Sequence, residues 1–154
     1  MKPLKLIGLA TLGSIALLGG AYAFQHIGGL APCKMCLWQR WPHAAAIGIG
    51  IVALALRETG LALLGAIAAL ATAAVGLYHA GVEQKWWQGP NTCTSSSNDG
   101  LTTSELFDKI MAAPITRCDE IAWDFLGLSM AGWNGVLSAA LAGIWLLAFL
   151  KRPT

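Results

Sequence analysis

Residues Trp41–Val82 read WPHAAAIGIGIVALALRETGLALLGAIAALATAAVGLYHAGV. Two uncharged runs, Trp41–Leu56 of 16 residues and Gly60–Val82 of 23, are separated only by the RETG turn at Arg57–Gly60. A bilayer crossing takes about 17–25 apolar residues in helix. The second run is long enough as it stands. The first becomes long enough if its helix begins near Cys33, because CKMCLWQR contains no glycine and Pro42 comes later. Pro42 removes one backbone hydrogen bond and kinks that helix. Working outward, Leu6–Phe24 and Phe125–Leu150 are uncharged over 19 and 26 residues. The pattern predicts an all-α membrane protein: a four-transmembrane-helix bundle with spans at about 6–24, 36–56, 60–82 and 129–150. The loops at about 25–35 and 83–128 then share one side of the membrane. With 154 residues the chain is one domain, and at 12% charged residues it falls well below the roughly 25% of soluble domains. A net charge of +2 without a basic run excludes nucleic acid as a partner.

Charge sets the orientation. Lys2, Lys5, Arg57, Lys151 and Arg152 lie on the side of the RETG turn, against Glu58 alone, while the long second loop is mostly acidic. The positive-inside rule puts both termini and the turn in the cytoplasm, despite Lys34 and Arg40 on the other side. The first run, preceded by lysines and followed by AYA at Ala21–Ala23, also fits a cleavable signal peptide. Gly8, Gly13, Gly19 and Gly20 favour a retained span, since small residues allow close helix packing in lipid. Trp38, Trp41, Trp86, Trp87, Trp123 and Trp133 lie near span ends, as in an interfacial aromatic belt.

In the second loop, SSSNDG at Ser95–Gly100 reads as a flexible stretch. Thr102 and Glu105 have capping-box spacing. Leu106, Phe107, Ile110 and Met111 then share one face of a short amphipathic helix ending before Pro114. That helix lies on the membrane surface or packs onto the loop.

The chemistry rests on four cysteines, Cys33, Cys36, Cys93 and Cys118, all assigned to the same outer side. Three pairings are open, and two structural disulfides are the plain reading. Cys33–Lys34–Met35–Cys36, however, is a C-x-x-C at a helix start, with Pro32 suited to the first helical position. The helix N-terminus favours thiolate over thiol. A bridge across so few residues removes little loop entropy, so it staples poorly and exchanges well. Cys93, beside the serine-rich stretch, bonded to Cys118 would make a bridge reachable by another protein. An all-thiolate zinc site competes for the same residues, but the second pair is not spaced C-x-x-C and the compartment is oxidising. The reading is therefore no metal.

Arg40, four residues after Cys36, projects from the same helix face. It is either a cation snorkelling to the interface or a fixed charge that stabilises the Cys36 thiolate and a reduced acceptor. No dinucleotide fingerprint and no C-x-x-C-H haem motif is present, so a membrane quinone fits as acceptor. His26 and His43 read as structural. His79, at the outer end of the third span and level with the C-x-x-C, is the exception.

PCKMCLWQR, the later Cys93 and Cys118, and CDEIAWDFLGLSMAGWN at Cys118–Asn134 closely resemble the DsbB family of bacterial inner-membrane disulfide bond formation proteins. The likeness covers the whole chain. It implies that Cys93–Cys118 oxidises a thioredoxin-like periplasmic dithiol protein, DsbA, with Cys93 forming the mixed disulfide. Cys118 then exchanges with Cys33, and Cys36 passes electrons to ubiquinone or menaquinone beside Arg40 and near His79. The bacterial periplasm is kept oxidising by such a quinone-linked system. Two other readings stay open. One is a specialised relative with a dedicated partner. The other is a non-enzymatic, disulfide-stapled tetraspan protein with inert cysteines. A vitamin K epoxide reductase-like enzyme shares the same logic, but there the C-x-x-C would follow the loop pair, and here it comes first.

Overall fold

A computed structural model of the chain describes residues 1–90, 93, 102–112 and 116–152. In chain order the helices are α1 (Pro3–His26), α2 (Lys34–Leu56), α3 (Ala62–Glu83), α4 (Thr103–Ala112) and α5 (Met130–Leu150). A 3-10 turn, Thr59–Leu61, leads into α3. Two short strands, β1 (Asp124–Phe125) and β2 (Leu128–Ser129), pair antiparallel just before α5.

The four long helices close into a ring, with α1 and α3 each packed between α2 and α5. Small residues face inward: Ala46 and Ala53 of α2, Ala62, Ala66, Ala69 and Ala73 of α3, and Ala131, Ala142 and Ala148 of α5 are buried. Large apolar residues face out, among them Leu12, Ile51, Ile67, Leu77, Val136 and Leu147. That is the opposite of a soluble bundle, and it fits helices that pack through small side chains and leave bulky ones to lipid. Helix α1 and the turn-plus-α3 segment Thr59–Glu83 are long and apolar enough to cross a membrane, and so is α5. Helix α2, at 23 residues, matches them in length and carries polar groups in its first two turns.

Trp145, on α5, is fully buried and fills the space left by Gly65, where an added Cβ would lie 2.6 Å from its ring. At the same end Leu6 and Ile7 meet Ala53, Ala62 and Ala148. The start of α1, the Arg57–Gly60 turn and the end of α5 therefore gather at one end of the bundle. Cys33, Met35, Val82, Cys93 and Cys118 gather into a separate cluster, beyond the other end of α3.

Local chemistry sets the helix ends. Cys33 is the N-cap of α2, its sulfur accepting from the Cys36 N–H at 3.3 Å. Pro32 thus precedes the cap instead of occupying the first helical position. Arg57 ends α2 in the left-handed region, at φ 57°, and Glu58 caps the following turn by accepting from the Gly60 N–H. Pro42 lies inside α2 without ending it. Thr102 and Glu105 satisfy each other's backbone N–H reciprocally at the start of α4. Phe107 and Met111 are exposed there, while the side chains of Leu106 and Ile110, the stretch Ser95–Gly100 and Pro114 lie outside the described residues. The hairpin within WDFLGLSM has no counterpart in the sequence reading. Its two-residue turn puts Leu126 and Gly127 at φ 54° and 78°, the primed geometry that suits strand twist. Ser129 leaves the hairpin as N-cap of α5, accepting from the Gly132 N–H at 3.1 Å.

Candidate functional site

Cys93 and Cys118 form a disulfide with their Cα atoms 5.3 Å apart, while Cys33 and Cys36 are free thiols. The two pairs come from loops far apart in sequence, yet they share one buried cluster. The Cys33 and Cys118 sulfurs and a ring nitrogen of His79 all lie within 4.8 Å of one another. Such a trio has the spacing of metal ligands, but in the disulfide Cys118 has no thiolate to offer a metal. The Cys118 N–H donates to the Cys93 carbonyl at 2.9 Å, which ties the ends of the bridge together. Cys93 and Cys118 are 1% and 0% exposed. A bridge that stays reachable from water is therefore not what this arrangement presents. Packing against Cys33, Met35 and Val82 has drawn it inward.

Within the C-x-x-C the sulfurs are 2.8 Å apart. Cys33 is buried and Cys36 half-buried. The hydrogen bond with the Cys36 sulfur, followed by burial, pushes the Cys33 thiol well above the ordinary range.

His79, on the last turn but one of α3, brings Nε2 to 3.5 Å from the Cys33 sulfur and to 3.8 Å from Glu83 Oε1. Its Nδ1 meets Gln39 Nε2 at 2.9 Å. Behind Gln39, Asn134 Nδ2 donates to Gln39 Oε1 at 2.7 Å and to Thr72 Oγ1 at 3.2 Å. Asn134 Oδ1 in turn faces His43 Nε2 at 2.9 Å. His43 is therefore tied into a buried polar network, while His26 stacks on Tyr22.

Arg40 does not reach the sulfurs through any hydrogen bond among the described residues. Its guanidinium donates to Gln25 Oε1 at 2.6 Å and lies 4.7 Å above the Tyr22 ring, so the last turns of α1 hold it in place. A cavity of about 430 Å³ opens among α1, α2 and α5 beside these groups. Its wall is mostly apolar, including Leu17, Phe24, Trp133 and Leu137, and Cys33, Cys36, Arg40, His79 and Glu83 also line it. All six residues singled out in the sequence lie at this end of the bundle. Gln39, Thr72, Asn134 and Glu83 were not singled out. The signal for the first three is a polar side chain within or beside an apolar run, which lipid tolerates only where it faces the bundle interior.

A family model described as "Disulfide bond formation protein DsbB" matches residues 4–148. The chain is 31% identical to Disulfide bond formation protein B of Polaromonas sp. strain JS666 over 97% of its own length and 94% of that protein. It is 36% identical to the protein of the same name from Verminephrobacter eiseniae, over 97% of this chain and 87% of the other. It is also 31% identical to an uncharacterized protein of Rickettsia prowazekii, over 91% and 83% of the two chains. No solved structure matches it.

Proposed function

The chain belongs to the DsbB family of disulfide bond formation proteins, and from that premise we propose that it oxidises a periplasmic DsbA-like dithiol protein and delivers the electrons to membrane quinone, ubiquinone or menaquinone. The observation that supports this most is the meeting of two sulfur couples: the Cys33 and Cys118 sulfurs lie within 4.8 Å of each other, and Cys33 and Cys36 both line an apolar cavity.

The relay follows from what each sulfur can do. The partner's thiolate attacks Cys93 in the Cys93–Cys118 bridge, forming a mixed disulfide and freeing Cys118. The partner's second thiolate then resolves the mixed disulfide, leaving the partner oxidised and Cys93 and Cys118 reduced. Cys118 attacks Cys33 of an oxidised C-x-x-C and releases Cys36 as thiolate. Attack by Cys93 on Cys118 restores the loop bridge and returns the electron pair to Cys33 and Cys36. That last distribution, one bridge in the loop and two thiols in the C-x-x-C, is the one seen here. Exchange requires a thiolate in line with a disulfide, and closing the loop over Cys33 supplies the approach. Access of a partner to Cys93 requires the loop to swing out, because the bridge is buried.

The cavity residues fit a quinone ring: an apolar slot whose lining includes the Cys33 and Cys36 thiols, the Arg40 guanidinium and the His79 imidazole. When bound, quinone supplies a sink for two electrons and two protons. Arg40, anchored by Gln25 and Tyr22, holds positive charge where negative charge develops. Burial of Cys33 keeps water from its sulfur. In this reading α2 is the fourth span, both termini are cytoplasmic, the cysteines are periplasmic, and the protein resides in the bacterial inner membrane.

The test is anaerobic titration of purified protein with a reduced thioredoxin-fold partner while following quinone absorbance. The expected stoichiometry is one quinone per disulfide formed. Undiminished turnover in Cys36→Ser would remove that residue from the quinone step. Trapping of the partner by Cys93→Ala would move the entry role elsewhere.

A further inference from the structure

The polar network behind His79 fixes which of its nitrogens carries hydrogen, and that can be deduced from two backbone carbonyls. Thr72 Oγ1 donates to the Gln39 carbonyl at 3.1 Å. Its single proton is therefore used, and Thr72 must accept from the Asn134 atom 3.2 Å away. That atom is the amide nitrogen. The same nitrogen, 2.7 Å from Gln39, then requires the oxygen of the Gln39 amide. Gln39 is left with its NH2 toward His79 Nδ1 at 2.9 Å. A second anchor agrees, since the same NH2 lies 3.3 Å from the Met35 carbonyl, which can only accept. His43 Nε2 donating to Asn134 Oδ1 is consistent with this orientation of the Asn134 amide.

An NH2 facing Nδ1 means that Nδ1 is bare, and a neutral imidazole then carries its hydrogen on Nε2. Around Nε2 lie the Cys33 sulfur at 3.5 Å, Glu83 Oε1 at 3.8 Å and the Cys118 backbone, all able to accept a hydrogen bond. We propose that Gln39, backed by Asn134 and Thr72, is a positioning residue that locks His79 as a neutral Nε2–H donor aimed at the Cys33 sulfur. In this state His79 cannot take the Cys33 proton at Nε2. It can donate to the Cys33 thiolate that must form once Cys36 is engaged. The role of Cys33 rests on the proposed relay, but the lock is a property of the folded chain and is measured without quinone.

The experiment is nitrogen-15 NMR of histidine-labelled protein in detergent, with the His79 signals assigned by their loss in His79→Gln. The expected spectrum shows His79 protonated at Nε2 and bare at Nδ1. A His79 protonated at Nδ1, alone or as imidazolium, overturns the proposal whatever any variant does. In Gln39→Glu the carboxylate demands an N–H from Nδ1, so the tautomer is expected to invert; an unchanged tautomer overturns the lock. In a Cys36→Ser background, adding Gln39→Glu is expected to slow alkylation of Cys33 about tenfold, the size of a lost hydrogen bond to a charged group. An unchanged rate overturns the role toward Cys33. If Gln39→Glu fails to fold, the spectrum of the unmodified protein still decides. A protein that shows the expected tautomer but passes no electrons to quinone keeps the lock and loses the proposed reaction.

Discussion

Gly76→Val separates α3 from α5 at the level of the polar network. A Cβ at Gly76 would lie 2.8 Å from the Gly135 nitrogen, 2.9 Å from its Cα and 3.1 Å from the Ala131 carbonyl oxygen. All three are backbone atoms, so no side chain can rotate away. Ordinary carbon contacts need roughly 3.5–4.0 Å, so the helices must part by about 0.7 Å or more. Forced overpacking of this kind costs about 1–3 kcal/mol, and replacing glycine in a helix by valine recovers only about 0.3 kcal/mol. The expected net loss is about 2 kcal/mol, a fall in melting temperature of roughly 4–8 °C for a chain of this size. The same shift stretches the Asn134–Thr72 hydrogen bond, now 3.2 Å, beyond bonding range, so quinone turnover should fall with stability. Gly48→Val is the control, because nothing lies within 4 Å of a Cβ there. Thermal unfolding in detergent by circular dichroism compares the two. If they melt together, or if Gly76→Val melts like the unmodified protein, the close backbone approach does not carry the α3–α5 packing.

Arg40→Gln should raise the KM for quinone about tenfold or more, the size of a hydrogen bond to a charged group, with partner oxidation at limiting partner concentration little changed; steady-state kinetics with each substrate varied checks it. Ser129→Ala removes the buried N-cap of α5 and should cost about 1 kcal/mol, read as a lower melting temperature with the Cys93–Cys118 bridge intact. The Asp119 carboxyl is held below the ordinary range chiefly by its hydrogen bonds from Arg117. A depressed folded value means that the pair's stabilisation is present above the unfolded carboxylate value of about 3.9 and disappears as pH falls through the folded value. Asp119→Asn should therefore melt earlier than the unmodified protein at neutral pH, with the two converging in acid.

The sequence alone determined the long helices and marked the cysteines as the candidates for chemistry. Uncharged runs of these lengths have no stable alternative to helix in lipid, because an unpaired backbone group there has no water to bond. The cysteines are legible for a similar reason: thiols are rare, and C-x-x-C spacing at a helix start has a direct electrostatic consequence for the sulfur. Composition likewise announced a membrane protein, since the outward Leu and Ile residues need an apolar surround. What only the tertiary structure decided is which groups meet. Cys33 and Cys118 are separated by most of the chain, and their approach depends on where the second loop closes over the bundle. The inward turn of the Cys93–Cys118 bridge depends on the same closure, and loop composition spoke only for exposure. Gln39, Thr72 and Asn134 come from three different helices and become one network only when α2, α3 and α5 pack through small residues. Periodicity shows which residues share a helix face. It carries no information on the rotation and depth at which two faces dock, because these come from the shapes of all the side chains between them.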